Sequence, residues 1–449
     1  MTKVTKMNMN RKNKFLKNSG LTIAVFLAAV LFGFLALTVI YAMPTGRVQA
    51  NVRISAEDLQ EDGLYHQMVA GKETTKLDNF TDALMMLTAS YGGDEGIIDK
   101  VVNNYETRLK DGDLIESCKV SGLDVEEGTT KRHAYARYWH GYVVILKPLL
   151  AFFELNEIRD LNLFLVMGMI CATAVLLSKY GKGRFAVPYL LAVCFINPMA
   201  VAASLQFSTI FHTMSAALLV MLLLWKQKWF REYIWLYFML VGMMTSYVDL
   251  LTYPVVALAF PVILYIILGE PEKLIGGAVR VVVNSAFWCV GYVGMWASKW
   301  AVSSLLMQKN YFTKAVETVK LRSGDTAFEQ ELTAGQVLDA MFGFLKGSSF
   351  SLILIVVLVL TVLLILKKGI CGQKINAAIL LLAVCLYPVV WYVGTKNHSA
   401  IHGFYTYRGV SVVLFALTSA LLMLTNHGRG RWWNRKKAMA KSVISGYDK

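Results

Sequence analysis

The chain has 449 residues, of which 56% are hydrophobic, and its formal net charge at pH 7 is +15. Long apolar runs recur along its length, which is typical of a polytopic membrane protein and not of a large soluble one. The short connectors and both termini are basic, whereas residues 51–133 are acidic. That segregation is a signature of membrane topology, so we expect the lipid bilayer as a partner and exclude nucleic acid.

The N-terminal segment predicts a membrane anchor. Residues 1–20 are basic, and an apolar run follows at residues 21–43. The apolar core of a cleaved signal peptide has about 7–15 residues, and this run is longer. We therefore predict an uncleaved first transmembrane helix that places the basic N-terminus in the cytoplasm.

A long hydrophilic segment follows the anchor at residues 44–139 and is predicted to be an extracytoplasmic loop. Apolar residues recur at helical spacing within residues 74–91 and within residues 95–109, which predicts two amphipathic helices. Residues 140–153 are apolar but too short to cross a bilayer. This stretch suits a helix that lies at the interface or enters it partway.

Basic connectors separate the remaining apolar runs, as the positive-inside rule requires of cytoplasmic loops. They divide the chain into a first part of the membrane bundle (140–306), a second extracytoplasmic loop (307–349), three last helices (350–425) and a basic cytoplasmic tail (426–449). The predicted fold is an all-α polytopic membrane protein with about ten transmembrane helices, a long helical first loop and both termini in the cytoplasm of a cell. After the anchor, the predicted spans are 158–178, 185–199, 205–225, 233–249, 253–268, 281–305, 350–366, 375–394 and 407–424.

Ionisable and hydrogen-bonding side chains collect at the predicted outer ends of these spans. Such groups within or beside apolar spans are costly and usually serve pathways, partners or sites. The inner connectors hold little except basic residues, so a site on this chain is expected to open outward. The outer groups are Asp78 and Asp82 in LDNFTDALMM, Arg137 and His140 in YARYWHGY, His212 in QFSTIFH, Asp249 and Tyr253 in YVDLLTYP, and His398, His402, Tyr407 and Arg408 in NHSAIHGFYTYR.

Several of these groups have a structural interpretation beside a functional one. Asp78 and Asp82 are four residues apart on one helical face, which suits a solvated surface as well as a general base near the membrane. Arg137 and His140 fit an interfacial aromatic belt with a basic anchor as well as a phosphate clamp.

Two further outer groups, Asp249 and His212, are open to the same ambiguity. Asp249 suits a cap for a helix that begins near Thr252, and a lone membrane histidine such as His212 is more often a satisfied bundle residue than a ligand. No HExxH or similar metal spacing occurs in the sequence. No cofactor is indicated, and a divalent metal remains an option.

The stretch NHSAIHGFYTYR, residues 397–408, favours function more strongly. Aromatic belts at membrane interfaces explain its tyrosines but not its two histidines and its arginine. His398 and His402 are four residues apart and would share a helical face. Arg408 begins an apolar run from the outer side, where the positive-inside rule does not place arginine.

An anchor helix, a long acidic first loop and a bundle whose reactive side chains face outward resemble the GT-C class of membrane glycosyltransferases. The resemblance depends on LDNFTD in the first loop and on the Arg and His groups of YARYWHGY and NHSAIHGFYTYR. It implies a polyprenyl-phosphate-linked sugar as donor and a cell-envelope glycan or lipid as acceptor. The class carries two acidic residues in its first loop, which Asp78 and Asp82 would represent at a wider spacing.

The resemblance also implies a role for each outer group. A loop carboxylate, Asp78 or Asp82, would take the proton of the acceptor hydroxyl as that hydroxyl attacks the anomeric carbon. Charged and hydrogen-bonding groups would stabilise the departing lipid phosphate. These phosphate- or donor-binding groups are Arg137, His140, His398, His402, Tyr407 and Arg408, with His212, Asp249 and Tyr253 in support.

Three other functions use the same residues. The first is a transporter or flippase for lipid-linked saccharides, although transporters often show repeated halves with a site at mid-depth, and no repeat is visible here. The second is a polysaccharide polymerase or ligase, which the sequence barely separates from a glycosyltransferase. The third is a non-catalytic membrane protein.

Overall fold

The computed structural model describes residues 3–324, 326–327, 330–346 and 349–425. The predicted basic tail, residues 426–449, lies outside these described residues. Helix α1 (Lys3–Tyr41) is a single long helix that contains the predicted anchor. The N-terminal part of this helix has a basic sequence and its C-terminal part is apolar.

The first loop folds into short helices and one two-stranded ribbon, which pack together beside the outer end of α1. Their cores share one cluster of buried apolar side chains with α1 and with the helices that follow the loop. The elements are α2 (Gly46–Asp62), α3 (Asn79–Ser90), α4 (Ile97–Asn103), β1 (Tyr105–Leu109), α5 (Leu114–Lys119) and β2 (Thr130–Ala134).

The rest of the chain is a helical bundle interrupted by the second loop. Its elements are α6 (Val143–Leu150), α7 (Leu155–Lys179), α8 (Ala186–Ile196), α9 (Pro198–Ala202), α10 (Leu205–Leu224), α11 (Lys228–Glu232), α12 (Ile234–Val248), α13 (Val255–Gly269), α14 (Leu274–Met307), α15 (Phe312–Ser323), β3 (Thr326–Ala327), β4 (Gln330–Glu331), α16 (Ala334–Lys346), α17 (Ser349–Lys368), α18 (Ile375–Val384), α19 (Tyr387–Gly394), α20 (Lys396–Ile401), α21 (Gly403–Thr406) and α22 (Ser411–Leu424).

Within the described residues, 7 helical segments are long and apolar enough to cross a membrane: Leu16–Tyr41, Leu155–Lys179, Leu205–Leu224, Leu274–Met307, Ser349–Lys367, Gly372–Gly394 and Gly403–Leu424. This confirms an α-helical membrane protein of the multi-pass kind. Three shorter apolar helices coincide with the other predicted spans, at Gly183–Ile196, Ile234–Val248 and Val255–Gly269. The count of about ten crossings therefore stays a prediction.

One predicted helix of the first loop is wrong over its second half. Helix α4 ends at Asn103, because Asn104 adopts a left-handed backbone with φ 46°. The chain then forms β1, whose residues pair antiparallel with β2 from Tyr105↔Ala134 to Leu109↔Thr130. Tyr105, Thr107 and Leu109 alternate along the strand, and aromatic and β-branched residues favour that conformation.

Small residues bring two of the membrane helices into close contact. A Cβ at Gly242 of α12 would overlap the backbone carbonyl of Trp288, and one at Gly291 of α14 would overlap that of Met239. Glycines at a helix crossing allow the backbones to approach, which is a common way of packing helices in lipid. Helix α17 packs much less closely, since only 6% of its apolar segment is buried against protein.

Candidate functional site

The first loop lies directly over the short segment that precedes α22. The Tyr65 ring packs edge-on against Phe404, with 5.9 Å between ring centroids. The Lys76 ammonium lies 5.2 Å from the centre of the same Phe404 ring. The Tyr407 hydroxyl donates a hydrogen bond of 3.2 Å to the Thr74 carbonyl. These contacts hold residues 65–76 of the loop against the segment before α22. Asp78, which follows shortly after, is thereby kept near Tyr405.

A group of polar side chains from distant parts of the chain lies within electrostatic range of Tyr405, and we call it the outer polar cluster. It comprises Asp78 from the first loop, Tyr138 from the end of that loop, Asp249 from the α12–α13 connection, Arg322 from the second loop, and His402 and Tyr405 from the predicted site stretch. Asp78, Asp249, Arg322 and Tyr138 all interact electrostatically with Tyr405. Tyr138 also interacts electrostatically with Arg322, Arg137 and Asp249.

Asp78 caps helix α3 from within this cluster. Its carboxylate accepts hydrogen bonds from the Thr81 backbone amide at 3.1 Å and the Thr81 hydroxyl at 2.9 Å. The residue is buried, and its burial raises the pKa of the carboxyl to about 6 even though the Thr81 groups oppose that shift. A carboxylate with a pKa close to neutrality is suited to general-base catalysis.

Asp249 is the second carboxyl of the cluster, and it closes a turn with Thr252 and does not cap a helix there, because α13 begins at Val255 with Pro254 at its N-cap. Its oxygens accept the Thr252 backbone amide at 3.0 and 3.1 Å and the Thr252 hydroxyl at 2.5 Å. Burial raises the pKa of Asp249 to about 6. The neighbouring Leu251 has a left-handed backbone with φ 68°, a strained conformation that is often found at functional sites.

The two histidines of the site stretch lie on the same side, as predicted from their spacing, with 4.8 Å between ring centroids. The Nε2 of His398 is bonded to the Leu251 carbonyl at 2.6 Å, so this nitrogen carries the proton. Burial, His402 and Arg322 lower the pKa of His398 well below its usual range. His398 is therefore a neutral residue that fixes the strained Leu251 turn.

His402 receives a hydrogen bond of 3.2 Å from Arg322 Nη1 to its Nε2. Its ring also stacks on Tyr405 at 5.1 Å. Burial and the neighbouring Arg322 lower the pKa of His402 to about 4. The imidazole is thus neutral, and it orients the guanidinium of Arg322.

Arg322 is the member of the cluster that sequence reasoning missed. It lies near the end of α15, and its Nε is buried without a hydrogen-bond partner among the described residues. The sequence signal is weak, because α15 carries other basic residues such as Lys320 in a polar loop. Only the folded chain shows which of these basic side chains reaches His402.

Arg408 occupies a different position from the one expected of a phosphate clamp. It is fully buried, and it donates to the Ile196 carbonyl at 2.9 Å and the Phe404 carbonyl at 3.2 Å. Its guanidinium lies 4.2 Å from the centre of the Phe207 ring. These contacts tie the end of α8 to the segment before α22, whereas the Nη2 of Arg408 is buried without a hydrogen-bond partner among the described residues.

Asp82 is fully buried against the start of α10. Its carboxylate accepts hydrogen bonds from the Ser204 hydroxyl at 3.2 Å, the Leu205 amide at 3.0 Å and the Gln206 amide at 3.1 Å. Burial raises its pKa to about 7. A carboxylate that satisfies the free amides of a helix N-terminus stabilises that helix, so the geometry favours an anchoring role for Asp82.

His140 is engaged at both ring nitrogens, with the Tyr142 hydroxyl and the Tyr135 carbonyl, each at 2.9 Å. Burial and Lys299 lower its pKa to about 3, so it stays neutral. Arg137, which directly precedes Tyr138 of the cluster, packs over the Tyr135 ring at 5.0 Å. It therefore borders the outer polar cluster, whereas His140 supports the fold around it.

The remaining predicted residues, His212, Tyr253 and Tyr407, contact the bundle and the loop. His212 Nε2 is 2.6 Å from the Asn162 side-chain oxygen, and the Tyr253 hydroxyl donates to the Phe207 carbonyl at 2.6 Å. Across the described part of the chain, no group of three or more His, Cys, Asp or Glu side chains is arranged to hold a metal ion.

Comparisons of the chain with protein-family models, with curated proteins and with solved structures find no match. A function for this protein is therefore argued from its own residues and their geometry.

Proposed function

We propose that the protein is a membrane glycosyltransferase, which uses a polyprenyl-phosphate-linked sugar on the extracytoplasmic side to modify a cell-envelope glycan or lipid. The observation that carries the proposal is the outer polar cluster, where the carboxyls of Asp78 and Asp249 and the guanidinium of Arg322 all lie within electrostatic range of Tyr405. Glycosyl transfer from a lipid phosphate needs both kinds of group, a base for the acceptor and a cation for the leaving phosphate.

The position of the cluster suits a donor that is embedded in lipid. Tyr405 lies in the first turn of the apolar segment Gly403–Leu424, and Asp78 and Arg322 reach it from the two loops. A polyprenyl chain in the bilayer would bring its phosphate, and not its tail, to this level. The cluster therefore lies where the donor's reactive end and a water-soluble acceptor can meet.

Asp78 is the residue that we assign as general base. The acceptor hydroxyl loses a proton as its oxygen forms a bond to the anomeric carbon, while the bond from that carbon to the phosphate oxygen breaks and the phosphate keeps the electron pair. At neutral pH a carboxyl with a pKa of about 6 is mostly ionised and can accept the proton. Asp249 has a similar pKa, but Thr252 occupies its oxygens with three hydrogen bonds.

Arg322 is the residue that we assign to the leaving phosphate. A guanidinium offers a planar fork of donors that matches phosphate oxygens. His402 engages one terminal nitrogen of this fork, and the buried Nε has no partner among the described residues. Arg137 borders the same cluster through its electrostatic contact with Tyr138 and adds positive charge to it.

The one-sided position of the cluster favours transfer over transport. An alternating-access transporter usually binds its cargo near the middle of the bilayer, between two halves that move against each other. Here the carboxyls and Arg322 belong to loops and connections at one end of the helices. A polymerase or ligase would use the same donor chemistry and differs from a single-sugar transferase in the length of its product.

The experiment that tests the proposal uses the purified full chain in liposomes with a panel of labelled undecaprenyl-phosphate sugars and a cell-envelope glycan extract. We expect label to move from lipid to the aqueous glycan fraction, and Arg322→Gln to lower this transfer by tenfold or more while Lys320→Gln, an exposed cation on the same helix, has no effect. Absence of transfer from every donor, or equal transfer by both variants, would contradict the proposal. Products that lengthen by many sugars would instead identify a polymerase.

A further inference from the structure

A polar cleft lies within the first loop, away from the outer polar cluster. It has a volume of about 400 Å³ and lies between α2, α3, α5 and the β1–β2 ribbon. Its lining includes Gln49, Ser90, Thr107, Ser121, Gly122 and Asp124.

The lining is rich in neutral groups that both donate and accept hydrogen bonds. Seven of the lining side chains carry a hydroxyl and one, Gln49, carries an amide, whereas Asp124 is the single carboxylate among them and none is Lys, Arg or His. Hydroxyls and amides pair with the hydroxyls of a ligand in either direction. A cleft without a cation does not match a phosphate or another anion, so its chemistry selects a neutral ligand with many hydroxyl groups.

Hydrogen bonds hold the walls of the cleft in place before any ligand arrives. Gln49 Nε2 donates to the Ser90 carbonyl at 3.2 Å, and the Ser121 hydroxyl donates to the Ser90 hydroxyl at 3.0 Å. Arg53 fixes the far wall through a bond of 2.5 Å to the Ser121 carbonyl. Gly122 has a φ of 70°, and a Cβ at that position would overlap Gln49. Rigid walls reduce the entropy that a ligand loses on binding.

A second depression of about 450 Å³ lies on the other side of the Arg53–Ser121 contact. It is lined by Ala50, Arg53, Ile54, Glu57 and Lys119. The two cations among these residues distinguish the depression from the cleft, so it is not part of the neutral-ligand site.

Helix α3 separates the cleft from the proposed catalytic base. Asp78 lies at the N-cap of this helix, and Ser90 and Tyr91 at its other end line the cleft. A helix of 12 residues is about 18 Å long at 1.5 Å per residue, and residues 82–90 of α3 are all buried. A ligand in the cleft is therefore remote from Asp78.

From this lining we infer that the first-loop cleft binds a neutral saccharide, at a site separate from the outer polar cluster. The inference stands on the cleft alone and does not depend on the proposed function.

The test is direct binding of neutral oligosaccharides to the purified full chain. Malto-, cello-, manno- and chito-oligosaccharides of four to six units are titrated by calorimetry, with an oligogalacturonate as the acidic comparison. We expect at least one neutral series to bind and the oligogalacturonate to bind at least tenfold more weakly. Binding of none of the neutral series, or equal binding of the acidic one, would overturn the inference.

The β1–β2 ribbon supplies a matched pair of variants. Thr107 and its partner Arg132 face one side of the ribbon, and Arg108 and its partner Lys131 face the other. Both Thr107 and Lys131 are exposed, so a tryptophan at either position disturbs the core little. Thr107→Trp, which fills the cleft, should weaken oligosaccharide binding by tenfold or more, and Lys131→Trp should leave it unchanged.

These results separate the inference from the proposed function. If the donor assay shows no transfer while oligosaccharides bind and Thr107→Trp prevents that binding, the inference about the cleft is supported and the glycosyltransferase proposal is contradicted. If transfer is found but Thr107→Trp binds oligosaccharides with the same affinity as the unchanged chain, the inference about the cleft is contradicted and the proposed function is supported.

Discussion

Asp78 and His402 both belong to the outer polar cluster, and their protonation differs because their surroundings differ. Burial raises the pKa of Asp78 to about 6, whereas burial and Arg322 lower that of His402 to about 4. The first shift makes the carboxyl a better base near neutral pH, and the second keeps the imidazole neutral beside a cation. The two residues therefore have different proposed roles: the Asp78 carboxylate accepts a proton, and the His402 imidazole orients Arg322.

These two values predict the pH dependence of transfer. Below a pH of about 6 Asp78 becomes protonated, so kcat/KM should fall about tenfold for each further unit of acidity, since the base must be ionised in the free enzyme. His402 does not titrate in this range, because its pKa is about 4. The measurement is kcat/KM for the lipid-linked donor between pH 4.5 and 8. A rate that stays level down to pH 4.5 would show that no carboxyl with a raised pKa is the base.

At the scale of elements, the site depends on how the first loop is fastened to the bundle. Asp82 on α3 accepts the free amides at the start of α10, and the Asn197 side chain donates to the Thr74 carbonyl at 3.0 Å. These contacts hold the beginning of α3, and therefore Asp78, over the membrane helices. Asp82 therefore affects the site indirectly, because it fixes the position of α3 relative to α10.

Asp82→Asn should consequently lower stability and not the chemistry. Asparagine offers one acceptor oxygen where the carboxylate offers two, so we expect a loss of about 1–3 kcal/mol for donors left without a partner. The measurement is the thermal unfolding of the purified variant together with its transfer rate per folded molecule. That rate should stay within about twofold of the unchanged chain, because the oxygens of Asp82 are bonded to the start of α10 and not to the reacting groups. An unchanged unfolding temperature combined with lost transfer would assign Asp82 to catalysis.

The stability difference should also depend on pH. The folded-state pKa of Asp82, about 7, lies above its ordinary value of 3.8. Its proton therefore contributes stability that is fully present below pH 3.8 and is lost as the pH rises through 7. The unchanged chain should lose more stability than Asp82→Asn between pH 5 and pH 8.

The sequence predicts elements better than it predicts contacts between them. Apolar runs identify the membrane helices, because any segment that crosses lipid must satisfy its own backbone hydrogen bonds. Strand β1 was missed, since the spacing of Ile98, Val102 and Tyr105 fits a helix and its pairing with β2 involves residues some 25 positions away. The sequence predicts only that Asp78 and His402 lie on the same side of the membrane, and it does not predict that both lie near Tyr405.

Two arginines show most clearly which contacts the sequence does not predict. Arg408 is conspicuous in the sequence because it begins an apolar run, and in the structure it is buried and connects α8 to the segment before α22. Arg322 looks like one cation among several, yet it reaches the centre of the cluster. Burial and partner identity decide these roles, and both are properties of the folded chain.

For the whole molecule, the account requires that both loops lie on the extracytoplasmic side. The exposed turn at Glu127 belongs to the first loop, and Cys371 lies in a basic connector that is predicted to be cytoplasmic. A membrane-impermeant maleimide added to intact cells should label Glu127→Cys, and should label Cys371 only after the cells are permeabilised. Cys371→Ser identifies the signal from that residue. Labelling in the opposite order would place the outer polar cluster in the cytoplasm.

The catalytic assignment predicts a difference between two capping aspartates of the first loop. Asp78 caps α3 inside the cluster, and the exposed Asp113 caps α5 outside it. Asparagine caps a helix about as well as aspartate does, so neither Asp78→Asn nor Asp113→Asn should unfold the loop.

The most direct measurement is transfer of labelled sugar from an undecaprenyl-phosphate donor by the purified chain and these two variants in liposomes. We predict that Asp78→Asn lowers transfer by about 10²–10⁴-fold, the usual contribution of a general base, while Asp113→Asn retains the rate of the unchanged chain. Equal transfer by both variants, or none by the unchanged chain with any donor sugar, would contradict the account.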